Sequence, residues 1–289
     1  MRAPVRPISG RWPGAVERRL GRFFWVDPTV IAEESASAET FRRAMAALHV
    51  GDTIKITGSN RHPESDALLL QHVDLADAAI VDIGASDGST SIDLIGKLPG
   101  FRSYTIADLY LHLTARSVAS RTLFYDASGT LILIAGRRLV AWPSLSKAVR
   151  ALYRRTIRRA AASRPGREVL LLNPSVRELL GSDGRVSYRV HDVFEPWTGP
   201  RPDVVKVANL LRRLYFSDDR ILAALRRLHE TLPEGGHLLV VDNPRIAGIS
   251  ERGGLFRKAG PGFEPVATTE HPPEIVDLVA RVGADALPR

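Results

Sequence analysis

The sequence holds no cysteine. Disulfides, a cysteine-ligated zinc or iron–sulfur cluster and a thiol nucleophile are therefore excluded. Any argument for secretion from cysteine pairing goes with them. Lysine is scarce: of the 40 basic residues only Lys55, Lys97, Lys147, Lys206 and Lys258 are lysines, and the other 35 are arginines. Aromatics make up 7% of the chain, which weakens a surface built to stack bases. No apolar run reaches about 18 residues, so no transmembrane helix is expected and the chain reads as cytoplasmic. The eight histidines show no H-x-x-x-H or H-E-x-x-H spacing, so no metal site is expected. What is present is ordinary for a folded protein: 289 residues, 44% hydrophobic and 25% charged.

The net charge of +8 is unevenly spread. Residues 1–24 carry +5, residues 25–100 carry −7, residues 101–170 carry +10, and residues 171–289 balance sixteen bases with sixteen acids. The basic character is local and needs a local cause. The first 24 residues, with Pro4, Pro7 and Pro13, read as a loosely ordered basic arm leading into a short helix. They lack the apolar core of a secretory signal. Asp27 to Val50 reads as helical, and Pro63 opens a further helix with Glu64 and Asp66 in its first turn. Residues 1–75 thus form an expected basic arm and helical cap.

Residues 76–289 read as an α/β domain. Ala79 to Ile83 is a short apolar run, Gly84 to Gly88 a small-residue loop, and Ser89 to Leu98 a helix. Strand, glycine loop and helix make the first unit of a parallel sheet. A second strand ends at Asp108. Residues 111–168 interrupt the rhythm as an insertion: a β-meander over Arg121–Tyr125, Thr130–Ala135 and Leu139–Trp142, then a helix with arginines at 150, 154 and 158. The α/β rhythm is expected to resume at Val169–Leu172. Further strands are expected over Val186–Val193, Asp203–Ala208 and His237–Asp242, with two short ones near Gly254–Lys258 and Phe263–Thr268. Asn173 rivals Asp108, because Leu170–Leu172 followed by Asn173 also fits a second strand.

The chemistry concentrates in Asp82-Ile83-Gly84-Ala85-Ser86-Asp87-Gly88. Small residues let a ligand approach the backbone, and the helix after them points N–H groups at it. The dinucleotide fingerprint G-x-G-x-x-G is not met, since the glycines stand four apart. A carboxylate at the end of the second strand, Asp108, suits the hydroxyls of a ribose.

These residues resemble the first motif of class I S-adenosylmethionine-dependent methyltransferases, with Ser86 where a glycine is usual. The resemblance covers roughly residues 76–270 outside the insertion. It implies a Rossmann-like α/β fold with a mostly parallel sheet and an antiparallel last strand. It implies S-adenosylmethionine as cofactor, held by Asp82, Gly84, Ala85, Ser86 and Gly88. Asp108 would take the ribose, and Asp192 with Val193 the adenine. Asn209 would lie beside the methyl donor. Asn209 and Tyr215 are the candidate catalytic residues, with His191 and His112 as further candidates. The implied reaction is methylation of an oxygen or nitrogen on a small-molecule or peptide acceptor.

Two alternatives stay open. The same fold can cleave or cyclise S-adenosylmethionine without an acceptor. A non-enzymatic module could instead bind nucleic acid or a membrane surface through Arg154, Arg155, Arg158 and Arg159, although a solvated face is the commoner fate of such a helix.

Overall fold

The computed structural model describes residues 3–33, 36–50, 53–54, 61–163, 165–244 and 246–283. The chain divides into two compact units. One, the meander unit, comprises Met1–Thr57 and Tyr110–Ser175. The other, the sheet unit, comprises Gly58–Leu109 and Val176–Arg289.

The sheet unit is a Rossmann-like α/β fold. Its strands in chain order are β1 (Ala79–Ile83), β2 (Ser103–Asp108), β3 (Val186–Val190), β4 (Val204–Ala208), β5 (His237–Asp242), β6 (Arg252–Ala259) and β7 (Gly262–Thr268). They lie side by side as β3-β2-β1-β4-β5-β6-β7. The first five in that order are parallel. The antiparallel strand is the sixth, β6, and β7 hairpins back against it, so the last strand again runs with the parallel set. The short link 260–261 explains this, since a two-residue loop can only join antiparallel neighbours.

Period-two alternation builds two different faces here. Val81, Ile83, Val205, Val207, Leu238 and Val240 point to one face. There they pack with Ile221, Leu225 and Leu228 of helix α3 (Asp218–Thr231) and Leu278 of helix α4 (Val276–Arg281). Each such side chain contributes about 1.5–3 kcal/mol by leaving water. Asp82, Tyr104 and Lys206 point to the opposite face and are buried there. Helix α1 (Pro63–His72), expected from sequence in the cap, packs on the β6–β7 side of this sheet unit. Helix α2 (Ser89–Ile95) follows the glycine loop.

The meander unit is a six-stranded antiparallel sheet. Its spatial order is Val5–Pro7, Leu139–Ala141, Leu131–Ala135, Arg121–Tyr125, His112–Val118 and Arg167–Leu170. Several sequence expectations change in this unit. The N-terminal arm is not loose, because Val5–Pro7 pairs with Leu139–Ala141 as an edge strand. An edge position tolerates the neighbouring prolines. Arg167–Leu170 pairs antiparallel with His112–Val118, so it closes the meander and does not resume the parallel sheet. One face of this sheet buries Phe124, Leu133 and Val140 against Phe41, Met45 and Leu48. The other face buries Leu123 and Ile134 under Tyr153, Ile157 and Ala160. The stretch Asp27–Val50, expected to be helical, is a 3-10 turn (Pro28–Ala32), a helix (Ala38–Met45) and a short strand (His49–Val50) paired with Thr53–Ile54, with residues 34–35 outside the described set. The basic helix is two, Lys147–Leu152 and Arg154–Ala161. Among the described residues no helix is long and apolar enough to cross a membrane.

Candidate active site

The strand order reverses between β1 and β4, and sites in such sheets lie beyond the carboxyl ends of the strands at that point. The glycine loop sits there. Gly84, Ser86 and Gly88 take φ of 78°, 58° and 74°. Alternate left-handed residues fold the loop back over β2. Ala107 O accepts the N–H groups of Gly84 (2.8 Å) and Ala85 (3.1 Å), and Asp108 Oδ2 accepts Ser86 N–H at 2.8 Å. Gly88 N–H reaches Ala85 O, and Ser89 N–H reaches Asp87 Oδ1. The N–H groups expected to point at a ligand are thus largely engaged inside the loop. What the loop presents is a close-lying backbone.

Ser86 occupies a conformation that costs an L-residue roughly 1–2 kcal/mol. Its buried Oγ has no hydrogen-bond partner among the described residues. Gly84 has a second constraint, because a Cβ there would stand 2.8 Å from Leu210 Cδ2. At Gly88 the added atom would meet Val176 at 3.1 Å.

Asp82 does not fix the loop through backbone N–H groups. Its Oδ2 accepts Ser91 Oγ–H at 2.8 Å and Tyr104 O–H at 3.2 Å, tying α2 to β1 and β2. Burial pushes the Asp82 carboxyl up from its ordinary range, against the pull of Lys206 and of these two donors. Lys206 stands in register with Asp82 on the adjacent strand. Its Nζ binds Asp66 Oδ1 of α1 at 2.7 Å, and Lys97 Nζ binds Asp66 Oδ2 at 3.1 Å. Lys206 and Asp66 are almost wholly inaccessible.

Asp108 ends β2 and is buried. His191 N–H donates to the Asp108 carbonyl at 3.2 Å, which brings the segment after β3 alongside. Asp192 Oδ1 accepts Phe194 N–H at 3.0 Å. Val193 is buried in the apolar core of the sheet unit. His191 packs edge-on to Trp197, and burial lowers its pKa. The rival Asn173 lies in the meander unit, where its Oδ1 accepts Ser175 N–H and its Nδ2 donates to Ala38 O. His112 is also in the meander unit, with Nδ1 3.0 Å from Glu168.

Asn209 follows β4 with φ of 57°. Its Oδ1 accepts Asn243 N–H at 2.8 Å, and its Nδ2 lies 2.8 Å from Asn243 Oδ1 and 3.2 Å from His62 Nε2. His62 Nε2 is 3.0 Å from Asn243 Oδ1. Asn243 Nδ2 donates to Arg61 O and Ser250 O. The result is a His62–Asn209–Asn243 cluster at the carboxyl ends of β4 and β5, with His62 buried and the two asparagines half-buried. Burial, then the charges of Lys206 and Arg61, hold His62 down to a pKa of about 3, so it is neutral at pH 7. Tyr215 is 38% exposed and edge-on to Phe216, outside this cluster.

Asp66, Lys206, His62 and Asn243 escaped the sequence reading. Lysine inside the strand run Val204-Val205-Lys206-Val207 was the available signal, since a charge in a buried strand needs a partner. Asn243 stands one residue past β5, as Asn209 does past β4.

The fold and the candidate site together define a Rossmann-like sheet with a glycine loop and a buried strand-end carboxylate where its strand order reverses. The chain is similar to solved methyltransferases. Mitomycin 7-O-methyltransferase MmcR shares 20% identity over 76% of this chain and 44% of its own, with a TM-score of 0.35. Magnesium protoporphyrin IX methyltransferase (ChlM) from Synechocystis PCC 6803, solved with bound SAH, shares 14% over 63% and 54%, with a TM-score of 0.33. N-methyltransferase NodS from Bradyrhizobium japonicum WM9 shares 15% over 63% and 65%, with a TM-score of 0.31. The chain therefore spans less than two thirds of the length of each. No protein-family model matches the sequence, and no curated protein matches it.

Proposed function

We propose that the sheet unit binds S-adenosylmethionine and transfers its methyl group to an oxygen or nitrogen of a small-molecule or peptide acceptor. One observation carries this reading: the positive-φ loop is clamped to Asp108 by the Ser86 N–H, at the point where the strand order reverses. The residues fit the cofactor's chemistry. Asp108 and Asp192 are acceptors, suited to ribose hydroxyls and an adenine amine. The orphaned Ser86 Oγ is a buried polar atom that a bound polar ligand would satisfy.

When bound, S-adenosylmethionine supplies an electrophilic methyl group on a sulfonium. The chain's own part is positioning and exclusion of water. Loop 84–88 sets how closely a ligand approaches the backbone. Asn209, its amide spent on Asn243 and His62, holds the start of the segment after β4 in its left-handed turn. It acts as a positioning residue. Tyr215, 38% exposed, is the candidate in this segment to touch an acceptor.

Calorimetry with S-adenosylmethionine and S-adenosylhomocysteine tests the reading. Both should bind, and Asp108→Ala should weaken them by about 1–3 kcal/mol, a lost charge-assisted hydrogen bond. Gly84→Val should lose both, because the left-handed backbone and Leu210 oppose any side chain there. Binding of neither ligand to the unaltered chain would overturn it. Methylthioadenosine formed from S-adenosylmethionine alone would replace transfer by cleavage.

A further inference from the structure

We propose that the helix pair Lys147–Leu152 and Arg154–Ala161 of the meander unit is a docking surface for an anionic lipid bilayer. Between Asp126 and Glu168 the chain runs forty-one residues with ten basic residues and no acid. Lys147, Arg150, Arg154, Arg155, Arg158 and Arg159 are all exposed. Among the described residues, none of these six has an acidic partner. Their attraction is not spent on any acid among the described residues.

The pair is a fixed surface. Tyr153 and Ile157 pack on Leu123, Ile134 and Ala160. Arg121 covers the Tyr153 ring, and Arg116 Nη1 donates to Ala160 O at 2.9 Å. Turning these residues inward turns the cations outward, with Arg154 and Arg158, and Arg155 and Arg159, at i, i+4 on the second helix.

Leucines choose between the polyanions. Leu152 is 78% exposed and Leu145 is 47% exposed, within the cationic patch. Ala148 and Ala151 are exposed beside them. A phosphate ridge of nucleic acid offers such side chains nothing. The headgroup boundary of a bilayer takes the cations at the phosphates and the leucines just below. The one aromatic of residues 147–161, Tyr153 between the two helices, is half-buried, so this segment has no exposed ring to stack on bases.

The test is co-sedimentation of the full chain with phosphatidylcholine vesicles with and without about 30 mol% phosphatidylserine. Binding is expected only with the anionic lipid, and should fall at least about tenfold when Arg154, Arg155, Arg158 and Arg159 become Gln. Leu152→Ser should weaken it several-fold while leaving its salt dependence intact, and circular dichroism should show both variants folded. No binding to the anionic vesicles overturns the proposal. So does vesicle binding indifferent to Leu152→Ser, or tighter binding to duplex DNA or single-stranded RNA than to the vesicles.

Discussion

Asp66, Asp82, Lys206 and Glu251 are buried in the sheet unit, whereas Arg154, Arg155, Arg158 and Arg159 stand in solvent on the meander unit. Of the thirteen buried polar or charged residues among those described, Asn173 alone belongs to the meander unit. The two units are both sheets covered by helices, so architecture does not explain the contrast. A buried charge costs several kcal/mol before its partner repays it. In the sheet unit such charges pair with one another, as Lys206 does with Asp66. The meander unit follows the cheaper rule of an apolar interior and a charged skin.

The contrast breaks first at Asp66. Asp66→Asn keeps the shape and removes the charge that holds Lys206 and Lys97. Lys206 would remain buried with only Asp82, on the neighbouring strand, to offset it. The expected loss is about 3–5 kcal/mol in urea denaturation, the range for breaking one side of a buried pair. A loss under about 1 kcal/mol would mean that the sheet unit does not depend on its buried charges.

His62 gives the next largest effect, through pH. In the fold its pKa is held to about 3, mainly by burial, while an unfolded histidine titrates near 6.5. Between these values the unfolded chain binds the extra proton, so acid favours unfolding and stability rises with pH. From pH 7 to pH 4.5 this group alone should cost about 2–3 kcal/mol. His62→Gln should remove that share and flatten the arm. Equal acid sensitivity in the two proteins would place the histidine in water.

Much of the parallel sheet was legible. Ala79–Ile83, Ser103–Asp108 and Val204–Ala208 are short apolar runs closed by turn residues, and local pattern suffices for those. Pairing is a different matter. Val169-Leu170-Leu171-Leu172 has the composition of a buried parallel strand, yet its partner is His112–Val118 in the meander. Nothing within the run distinguishes the two partners. Val5–Pro7 was hidden by prolines that rule out a central strand but not an edge. In the site, the loop and Asp108 were visible because they are contiguous or one unit apart. The Asp66–Lys206 pair spans 140 residues and His62–Asn209 spans 147, so only the folded chain brings them together.

Ser86 offers a smaller effect with the opposite sign. The motif this loop resembles has glycine where the chain carries a serine at φ 58°, whose buried hydroxyl has no partner among the described residues. Ser86→Gly should relieve the left-handed cost and raise stability by about 1 kcal/mol, less the entropy glycine adds to the unfolded chain. If Oγ contacts the ligand, the same change weakens S-adenosylhomocysteine binding in calorimetry. Stability and affinity would then move apart, which marks a residue strained for function.

The smallest effect is expected on the meander surface. Arg154 faces Arg158, and Arg155 faces Arg159, each at i, i+4 on one helix. Like charges at that spacing repel by a few tenths of a kcal/mol. Changing all four to Gln removes two repulsions and breaks no ion pair, so stability should stay the same or rise by about 0.5 kcal/mol. Added salt screens the repulsion and should stabilise the unaltered chain slightly more than the variant. Urea melts of both proteins at low and high salt measure this. A loss above about 1.5 kcal/mol would mean that these arginines hold the fold together, and the two units would then differ in where their charges lie but not in what the charges do.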